Sequence, residues 1–480
     1  AEGKDLGGLR PIAKEDFERD LALVQERLDA RAGKEIKSMR KYTAHYRLTR
    51  LELSDVASFS TFSLPLHKRI VCILGENGSG KTTLLRAIAL GLSGVQEIAI
   101  LAHDNSQKLR DLLRIVRLDT EKQIPQYAIS ADIKVHYRKE EQGNITACLN
   151  HITLLPQNQK VDIREHHQTG VESFDFAEAG SFKQLFLGFA QEQGNVLGTT
   201  TEEKSLAPNL NDIAPLLFDE ADNRFTGLQA WLRRIAAPTK QEEAARDLVF
   251  KVVSDIIGKN ISHVFTTNEF VWVRVDEETP TPLGLVSQGF KNIFSWVGHF
   301  IRRLMECMED KDNLDFHLQA AIVLVDEIDT YLHPKWQGRI LDALARHFPR
   351  TQFIVTTHSP FVGLYLKAAK DDECLLLRID RTSNEAETFD KIYGQSLLRA
   401  FRDWFNQDEY TPEVAHKIIQ AHDAIEAENY DAAKSIIQDL ARILHRNDPS
   451  LLDLQLSLEM ALRFAANDSD DPNDDDNASN

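Results

Sequence analysis

The stretch from Gly75 to Thr83 reads GENGSGKTT and satisfies the pattern GxxxxGK[ST] in full. Glycines at these positions let the backbone wrap a phosphate chain with its N–H groups inward, and a helix that follows presents the positive end of its dipole. Lys81 would bridge the β- and γ-phosphates, and the hydroxyl of Thr82 would hold Mg²⁺. We expect phosphate contacts from the whole loop: Gly75, Glu76, Asn77, Gly78, Ser79, Gly80, Lys81, Thr82 and Thr83.

Two carboxylates follow a second apolar run. The five residues from Ala321 to Val325 precede Asp326 and Glu327, which predicts a buried strand with two acids at its end. Asp326 would organise Mg²⁺ through its water shell, and Glu327 would polarise an attacking water as general base. A similar pair, Asp219–Glu220, follows only three apolar residues and Pro215, which cannot donate to a central β-ladder, so we assign it no such role.

A histidine completes the chemistry. His358 follows the short apolar run from Phe353 to Thr356. Because the carboxyl ends of parallel strands converge on one ligand crevice, this side chain would reach a γ-phosphate if the three segments share a sheet. We therefore favour a functional over a purely structural histidine, and we expect nucleotide hydrolysis.

The segments around the phosphate loop have the periodicity that such a loop needs. Between Tyr46 and Leu74 lie three strand-like runs, YRLTRLEL, SFSTFSL and RIVCIL, and the helical pattern TTLLRAIALGL follows the loop. Strand, loop and helix in this order are the expected context. The α/β rhythm returns between residues 283 and 380, so we expect an α/β head built from two separate stretches of the chain.

Other segments are expected to surround this head. The spacing of Phe17, Leu21, Val24 and Leu28 predicts an N-terminal helix. The middle of the chain mixes expected helices (QKLRDLLRIV, LQAWLRRI, EEAARDLVFKVVSDIIG) with expected strands (ADIKVHY, FVWVRV). Two apolar stripes after Thr411 predict an antiparallel helical hairpin, and the pairs Thr411–Pro412 and Asp448–Pro449 are typical helix starts.

The predicted organisation follows from these patterns. It comprises an N-terminal helical segment (1–45), a first part of the head with the phosphate loop (46–95), an inserted α+β and helical lobe (96–280), a second part of the head (281–400), a C-terminal helical region for docking a partner (401–466) and a disordered acidic tail (467–480).

Composition excludes several classes. The 480 residues carry a net charge of −18, which argues against a generally basic nucleic-acid-binding surface. The four cysteines show no CxxC spacing, so neither a disulfide framework nor a zinc site is suggested by them. No apolar run approaches the length of a membrane span and no signal peptide is visible. We expect a reduced, soluble, cytoplasmic protein.

The three motifs GENGSGKTT, VLVDEID and IVTTHSP, in this order, resemble the ABC-type ATPase heads of the SMC and RecF kind. The resemblance implies ATP and Mg²⁺ as ligands and a head-to-head homodimer or higher homo-oligomer. It also implies that the loop Ser287, Gln288 and Gly289, in LVSQGFKNIF, acts as the signature that completes the site of a second subunit. The second glycine and the glutamine of transporter signatures are missing, which argues against a transporter subunit.

Two further roles are implied only by this resemblance. A magnesium-contacting glutamine is expected between the first motif and the signature; Gln191 is our preferred candidate and Gln157 is the alternative. Asp329, in DTYLHPKWQ, is expected to communicate across the dimer interface.

Within this class, three segments are most similar in sequence to the Septu ATPase subunits, PtuA: LVSQGFKNIFSWVGHF, VLVDEIDTYLHPKWQGRI and FIVTTHSPF. That family serves in bacterial defence against phage, and its ATPase pairs with a separate HNH nuclease subunit (PtuB-like). The pair His166–His167 and the stretch DEADN lack a nuclease arrangement, so any cutting is expected from the partner. Nucleic acid would be bound through the complex.

Two alternatives remain open. A DNA-repair or recombination ATPase acting directly on DNA would need a basic groove, for which the sequence offers only Arg233–Arg234 and Arg302–Arg303, pairs that we expect on solvated faces. A nucleotide-gated scaffold with negligible turnover would not need Glu327 and His358 to position water.

Overall fold

The structure is a computed structural model, and its described part covers most of the chain between residues 45 and 468. The described residues are 45–93, 109–119, 124–141, 143–157, 160–166, 176–178, 181–190, 208, 210–218, 224–234, 238–267, 269–308, 310–364, 373–379, 385–389, 400, 404 and 410–468. The predicted N-terminal helix, Gln191, His167, Asp219, Glu220 and the tail from residue 469 onward lie outside them. The chain divides into two compact units, 1–394 and 395–480.

The described residues contain eighteen strands. In chain order they are β1 (His45–Val56), β2 (Phe59–Pro65), β3 (Ile70–Leu74), β4 (Ile115–Asp119), β5 (Ile124–Tyr127), β6 (Ala131–Glu141), β7 (Asn144–Gln157), β8 (Lys160–His166), β9 (Ala177–Glu178), β10 (Ser181–Phe182), β11 (Leu185–Phe189), β12 (Ile261–Thr266), β13 (Val271–Val275), β14 (Thr281–Pro282), β15 (Ala321–Val325), β16 (Thr351–Thr357), β17 (Cys374–Arg378) and β18 (Glu387–Phe389).

Ten α-helices are described alongside them. They are α1 (Lys81–Ser93), α2 (Ala214–Phe218), α3 (Arg224–Arg234), α4 (Lys240–Ile257), α5 (Gln288–Glu306), α6 (Pro334–His347), α7 (Pro360–Leu364), α8 (Pro412–Glu426), α9 (Tyr430–Ile443) and α10 (Pro449–Asp468). None of the helices in these described ranges has both the length and the apolar composition to cross a membrane.

A six-stranded sheet positions the chemistry. Its order is β11-β15-β16-β3-β17-β18; neighbours from β11 to β17 run parallel, and β18 pairs antiparallel at the edge. The central strands are buried along their whole length, because helices cover both faces of a parallel sheet. The carboxyl ends of β3, β15 and β16 therefore meet at one edge, as the motifs require. A mixed sheet flanked by helices confirms the predicted fold class.

A second, antiparallel sheet lies against the first helix. Its order is β2-β1-β6-β7-β8, and α1 packs on β6 and β7. Strand β6 alternates buried and partly exposed residues, as expected of a sheet with one face in the core. Ile133 and Val135 are buried in the same hydrophobic cluster as Ile88 of α1. The opposite face carries the polar side chains of β6, β7 and β8.

The inserted region corrects one predicted helix. In QKLRDLLRIV, only Leu109 and Arg110 are helical among the described residues, and Ile115 opens strand β4 opposite Tyr127 of β5. Two consecutive β-branched residues favour the extended chain, and pairing with β5 outweighs the helical spacing of the leucines. The stretch APLLF, which precedes Asp219 and Glu220, forms the short helix α2 rather than a strand. The two acids lie outside the described residues, so their lack of a metal role stays a prediction.

The other two predicted lobe helices are present as α3 and α4. Helix α4 begins with a capping box between Thr239 and Glu242 and ends at Gly258, whose φ of 72° favours glycine.

The basic pair Arg302–Arg303 corrects another expectation, since both side chains are buried. Arg302 is paired with Glu306 at 2.7 Å, and Arg303 is paired with a buried aspartate as well, so neither is free to form a basic groove.

The C-terminal unit is a three-helix cluster. Helices α8 and α9 are joined by a three-residue turn, and their predicted apolar stripes pack on each other around Ala421, Ala433 and Leu440. Asp448 accepts hydrogen bonds from the backbone of Ser450 at the start of α10, as expected for a cap. Helix α10 continues to Asp468, two residues into the segment predicted as tail.

Candidate active site

The phosphate loop lies between β3 and α1, and its shape depends on glycine. Gly78 and Gly80 have φ values of 74° and 100°, in the left-handed region that side chains rarely adopt. A Cβ atom at Gly80 would also lie 2.6 Å from the ring of Phe59. The backbone can therefore turn tightly in front of α1, so that the N-terminal N–H groups of the helix face the loop.

Lys81 and Ser79 are the polar side chains inside this loop. The Lys81 Nζ donates hydrogen bonds to the carbonyl oxygens of Gly75 at 2.7 Å and Glu76 at 2.9 Å. Burial lowers the pKa of Lys81 below its ordinary value, although nearby carboxylates, with Glu327 foremost, oppose the shift. The buried Ser79 hydroxyl has no hydrogen-bond partner among the described residues. A buried donor without a partner is costly, so the loop suits a phosphate oxygen that would accept from it.

Asp326 links the loop to the central strands. Its Oδ2 accepts a hydrogen bond from the Thr82 hydroxyl at 2.7 Å, and its Oδ1 accepts one from the Thr356 hydroxyl at 2.5 Å. The carboxylate is thus held between α1 and β16 and is only 7% exposed. A hydroxyl and a carboxylate at this separation form an all-oxygen donor set that suits Mg²⁺ with retained water ligands. The residues present therefore fit the implied ion.

Glu327 is held by its own backbone and by the next strand. Its φ of 47° is unusual for a residue other than glycine. Such a strained backbone persists where surrounding contacts hold the conformation in place. The Glu327 N–H donates to the Thr356 hydroxyl at 2.8 Å, and its Oε2 accepts from the Thr330 hydroxyl at 3.1 Å. Glu327 and Asp326 line one cleft together with Asn292. The carboxylate is therefore held beside the phosphate loop, close enough to Lys81 to act on the pKa of that lysine.

His358 is tied to the loop that follows Glu327. Its Nε2 lies 3.3 Å from Oδ2 of Asp329, which is almost fully buried, whereas the histidine side chain is 47% exposed. The other oxygen of Asp329 accepts a hydrogen bond from the Thr357 hydroxyl. Gln337 donates to the Asp329 carbonyl at 3.2 Å and accepts from the Ser359 hydroxyl. The histidine thus has one face held by Asp329 and the other accessible to a ligand.

The signature segment begins α5, and its first turn packs on the catalytic loop of the same chain. Ser287 is exposed and caps the helix by accepting from the backbone of Phe290. A Cβ atom at Gly289 would lie 2.3 Å from the carbonyl oxygen of Tyr331, so only glycine allows this approach. Asn292 donates to the Thr330 carbonyl at 3.0 Å. The start of α5 is therefore in direct contact with the segment after Glu327.

Sequence reasoning missed the threonines that organise the site. Thr356 and Thr357 hold Asp326, Glu327 and Asp329, and both are fully buried. The signal was visible in IVTTHSP, because two hydroxyl residues end an otherwise apolar buried strand. Buried hydroxyls need partners, and the adjacent strand end supplies carboxylates.

The two candidate glutamines are distinguished only in part. Strand β11 pairs in parallel with β15 and ends at Phe189, so Gln191 follows a strand of the central sheet as predicted but lies outside the described residues. Gln157 pairs with Lys160 at the hairpin between β7 and β8, in the antiparallel sheet. The position of β11 favours Gln191 over Gln157, and its magnesium contact remains a prediction.

Comparisons with known proteins support this assignment. A family model described as "AAA domain, putative AbiEii toxin, Type IV TA system" matches residues 172–364, and a second, "AAA domain", matches residues 50–224. "Retron Vc95 probable ATPase" of Vibrio cholerae serotype O1 biovar El Tor is 23% identical over 381 residues, 66% of this chain and 71% of the relative.

Two further matches cover different shares of the chain. "Septu protein PtuA" of Bacillus thuringiensis is 25% identical over 183 residues, 36% of this chain and 45% of that protein, so this chain spans less than half of that relative's length. The solved "SMC head domain from Thermotoga maritima" is 16% identical, covers 72% of this chain and 98% of its own, and superposes with a TM-score of 0.39.

The AAA-domain matches and the ATPase relatives agree with the complete phosphate loop and the carboxylate pair. The chain is an ATPase with AAA-domain matches, and it is similar to a retron ATPase and to PtuA. The predicted fold class and ATPase activity are therefore confirmed.

Proposed function

We propose that this ATPase is the switch subunit of an anti-phage defence complex, in which two heads close around two ATP molecules and regulate a separate HNH nuclease subunit. Similarity to a Septu PtuA protein and to a retron ATPase supports the defence role. One observation carries the switch mechanism. Helix α5, which begins at the signature, contacts the loop after Glu327 where Gly289 meets the carbonyl of Tyr331. Through this contact, binding of a partner's γ-phosphate at the signature would affect the loop that carries Glu327 and Asp329.

Hydrolysis would use the residues gathered at the sheet edge. The loop amides and Lys81 bind the phosphate chain, while Thr82 and Asp326 would hold Mg²⁺, which neutralises charge on the phosphate oxygens when bound. Glu327 accepts a proton from the attacking water as the water oxygen bonds to the γ-phosphorus and the bond from that phosphorus to the bridging oxygen breaks, which leaves ADP and inorganic phosphate. His358 donates a hydrogen bond to the γ-phosphate, and Asp329 orients its ring.

The second subunit would complete each site. Ser287 is exposed at the N-terminus of a helix, where partial positive charge favours an anion such as the γ-phosphate bound at the other protomer. Gln288 and Gly289 belong to the same turn. Because this turn touches the loop that carries Asp329, closure at one site would alter the other, and the coupling would be reciprocal.

Mixing two inactive variants tests this arrangement. Lys81→Ala removes the phosphate-binding lysine, and Ser287→Arg blocks the signature. In a mixed dimer, one site combines the intact lysine of one chain with the intact serine of the other. A 1:1 mixture should recover up to about a quarter of the wild-type ATPase rate, since half the dimers are mixed and each has one intact site. No recovery, with both variants shown to dimerise, would refute completion in trans.

The nuclease partner is proposed to dock on the C-terminal helices. Helix α10 exposes Leu452, Leu456 and Met460, which recur every four residues on one face. Such a stripe is an anchor that a partner helix can bury. Co-purification of the tagged chain with the neighbouring gene product should recover an HNH protein, and Leu456→Glu should abolish its recovery while leaving ATPase activity unchanged.

Glu327→Gln reports on the direction of regulation. This variant should retain ATP and hold the dimer closed, so that nuclease activity of the complex differs from that of wild type. If the chain instead purifies alone and its ATPase rate rises sharply with DNA ends, the alternative of a repair ATPase acting directly on DNA is correct.

A further inference from the structure

A cluster outside the nucleotide site brings together two histidines and an aspartate. Asp132 lies on β6, His151 on β7 and His166 on β8, so three adjacent strands of the antiparallel sheet each supply one side chain. One donor atom of each lies within 4.8 Å of the other two. None of these residues contributes to nucleotide binding or to the signature.

Strand register explains why the three side chains meet. His151 stands directly opposite His166 in the β7–β8 pair. Asp132 stands opposite Thr153, two residues beyond His151 on β7, and is therefore a diagonal neighbour of that histidine. Because side chains alternate along a strand, all four lie on the face opposite the core residues Ile152 and Leu154. The sheet itself, which is rigid, holds the cluster.

Hydrogen bonds already orient these groups. His151 Nε2 lies 2.9 Å from Asp132 Oδ1, which also accepts from the Thr153 hydroxyl at 2.6 Å. The Thr153 oxygen lies 2.8 Å from His166 Nε2. The two imidazole rings stack with 4.4 Å between centroids and 28° between planes. His151 Nε2 thus contacts the Asp132 carboxylate directly, and His166 Nε2 is linked to it through the Thr153 hydroxyl.

The donor atoms of the cluster are one carboxylate oxygen and two imidazole nitrogens. An anionic oxygen beside two imidazole nitrogens is the donor set that zinc and similar transition metals prefer. Metal–ligand bonds of about 2.0–2.2 Å place tetrahedral donor atoms roughly 3.4 Å apart, within the range that these atoms span.

We propose that Asp132, His151 and His166 form a binding site for one divalent transition-metal ion of the Zn²⁺ class. Three protein donors leave a fourth position open to water. The ion would join β6, β7 and β8 on their polar face, and Thr153 would orient the carboxylate as a positioning residue.

Cobalt and zinc titrations of the untagged, chelator-treated full chain test the proposal. Excess Mg²⁺ is included to occupy oxygen-rich sites such as that at Asp326. Wild type should bind one Co²⁺ with the visible absorption of a tetrahedral site, and Zn²⁺ should displace it and raise the melting temperature. His166→Ala, at an exposed position, should weaken binding at least tenfold and abolish the zinc-dependent shift.

His136→Ala is the matched control. This histidine lies on the same face of β6, four residues from Asp132, and is 3.4 Å from Glu52. It should bind metal as wild type does. Asp132→Asn should weaken binding as His166→Ala does, and circular dichroism would show that both variants keep the fold. The proposal is overturned if wild type binds no Co²⁺ at micromolar concentrations, or if the control loses as much affinity as His166→Ala.

Discussion

Thr356 is expected to be indispensable for catalysis although it need not touch nucleotide. The fully buried hydroxyl donates to Asp326 and accepts from the backbone of Glu327, so it positions the magnesium carboxylate and the general base together. Thr356→Val keeps the shape and β-branching of the side chain and deletes only the hydroxyl. Thr82 would not replace this hydroxyl, because it holds the other oxygen of Asp326.

The size of the effect follows from two lost hydrogen bonds. A bond to a charged carboxylate contributes about 1.5–3 kcal/mol, and a buried N–H left without a partner costs about 1–3 kcal/mol. We therefore expect Thr356→Val to lower the free energy of unfolding by about 3 kcal/mol. Loss of alignment at the two carboxylates should reduce kcat by about ten- to a hundredfold, equivalent to about 1.4–2.7 kcal/mol in the barrier.

Thr351→Val is the matched control on the same strand. Thr351 is equally buried, but its hydroxyl has no partner among the described residues. Removing it should leave stability within about 0.5 kcal/mol of wild type, or increase it, since no hydrogen bond is lost. Urea unfolding measures stability, phosphate release measures kcat, and a fluorescent nucleotide measures binding.

If Thr356 positions the two carboxylates, its loss must change kcat without changing nucleotide affinity. Thr356→Val should bind nucleotide with an affinity close to wild type while kcat falls, because the phosphate loop is untouched. If both valine variants behave alike, or if binding falls as much as kcat, Thr356 is a packing residue and the reasoning is wrong.

Three other predictions follow. Gly289→Ala should lower ATPase activity at least tenfold by forcing apart the signature turn and a carbonyl 2.3 Å from the new Cβ, whereas Gly284→Ala, whose nearest neighbour is 3.5 Å away, should be close to neutral in the same assay. Burial and neighbouring guanidinium groups lower the pKa of His45 from 6.5 to about 3, so the unfolded chain binds a proton at a higher pH than the folded chain does. The free energy of unfolding should therefore fall as the pH drops from 6.5 toward 3, by about 2 kcal/mol at pH 5. His45→Gln should remove this pH dependence in urea titrations. The buried Arg303 guanidinium donates to Asp212 at 2.8 and 3.0 Å, and Asp212→Ala would remove this partner. The free energy of unfolding in urea should fall by about 3 kcal/mol, and a loss under 0.5 kcal/mol would contradict this.

Much of the head was predictable because its signals are local. The phosphate loop is a contiguous sequence pattern, and its glycines permit the tight backbone turn by themselves. The strands before Asp326 and His358 are buried at every position, and each contains an apolar run. Completely buried parallel strands read this way in any sequence. The C-terminal helices were equally visible through their apolar stripes and proline starts.

Other expectations failed where long-range pairing decided the outcome. Ile115 belongs to a strand because β5 is available to pair with it, and no local spacing reports that partner. The pair Arg302–Arg303 looked like a solvated face, but α5 is buried on several sides and an aspartate ninety-one residues earlier neutralises Arg303.

The sequence by itself identified the phosphate loop and the residues proposed for the chemistry, the Asp326–Glu327 pair and His358, each at the end of a segment that could be recognised alone. Only the tertiary structure decided which residues hold them in place. Strand order sets β16 between β15 and β3, so Thr356 meets Asp326, and strand register sets His166 beside His151. Neighbours across a sheet are separated by any length of chain, and their distance in sequence carries no record of their contact.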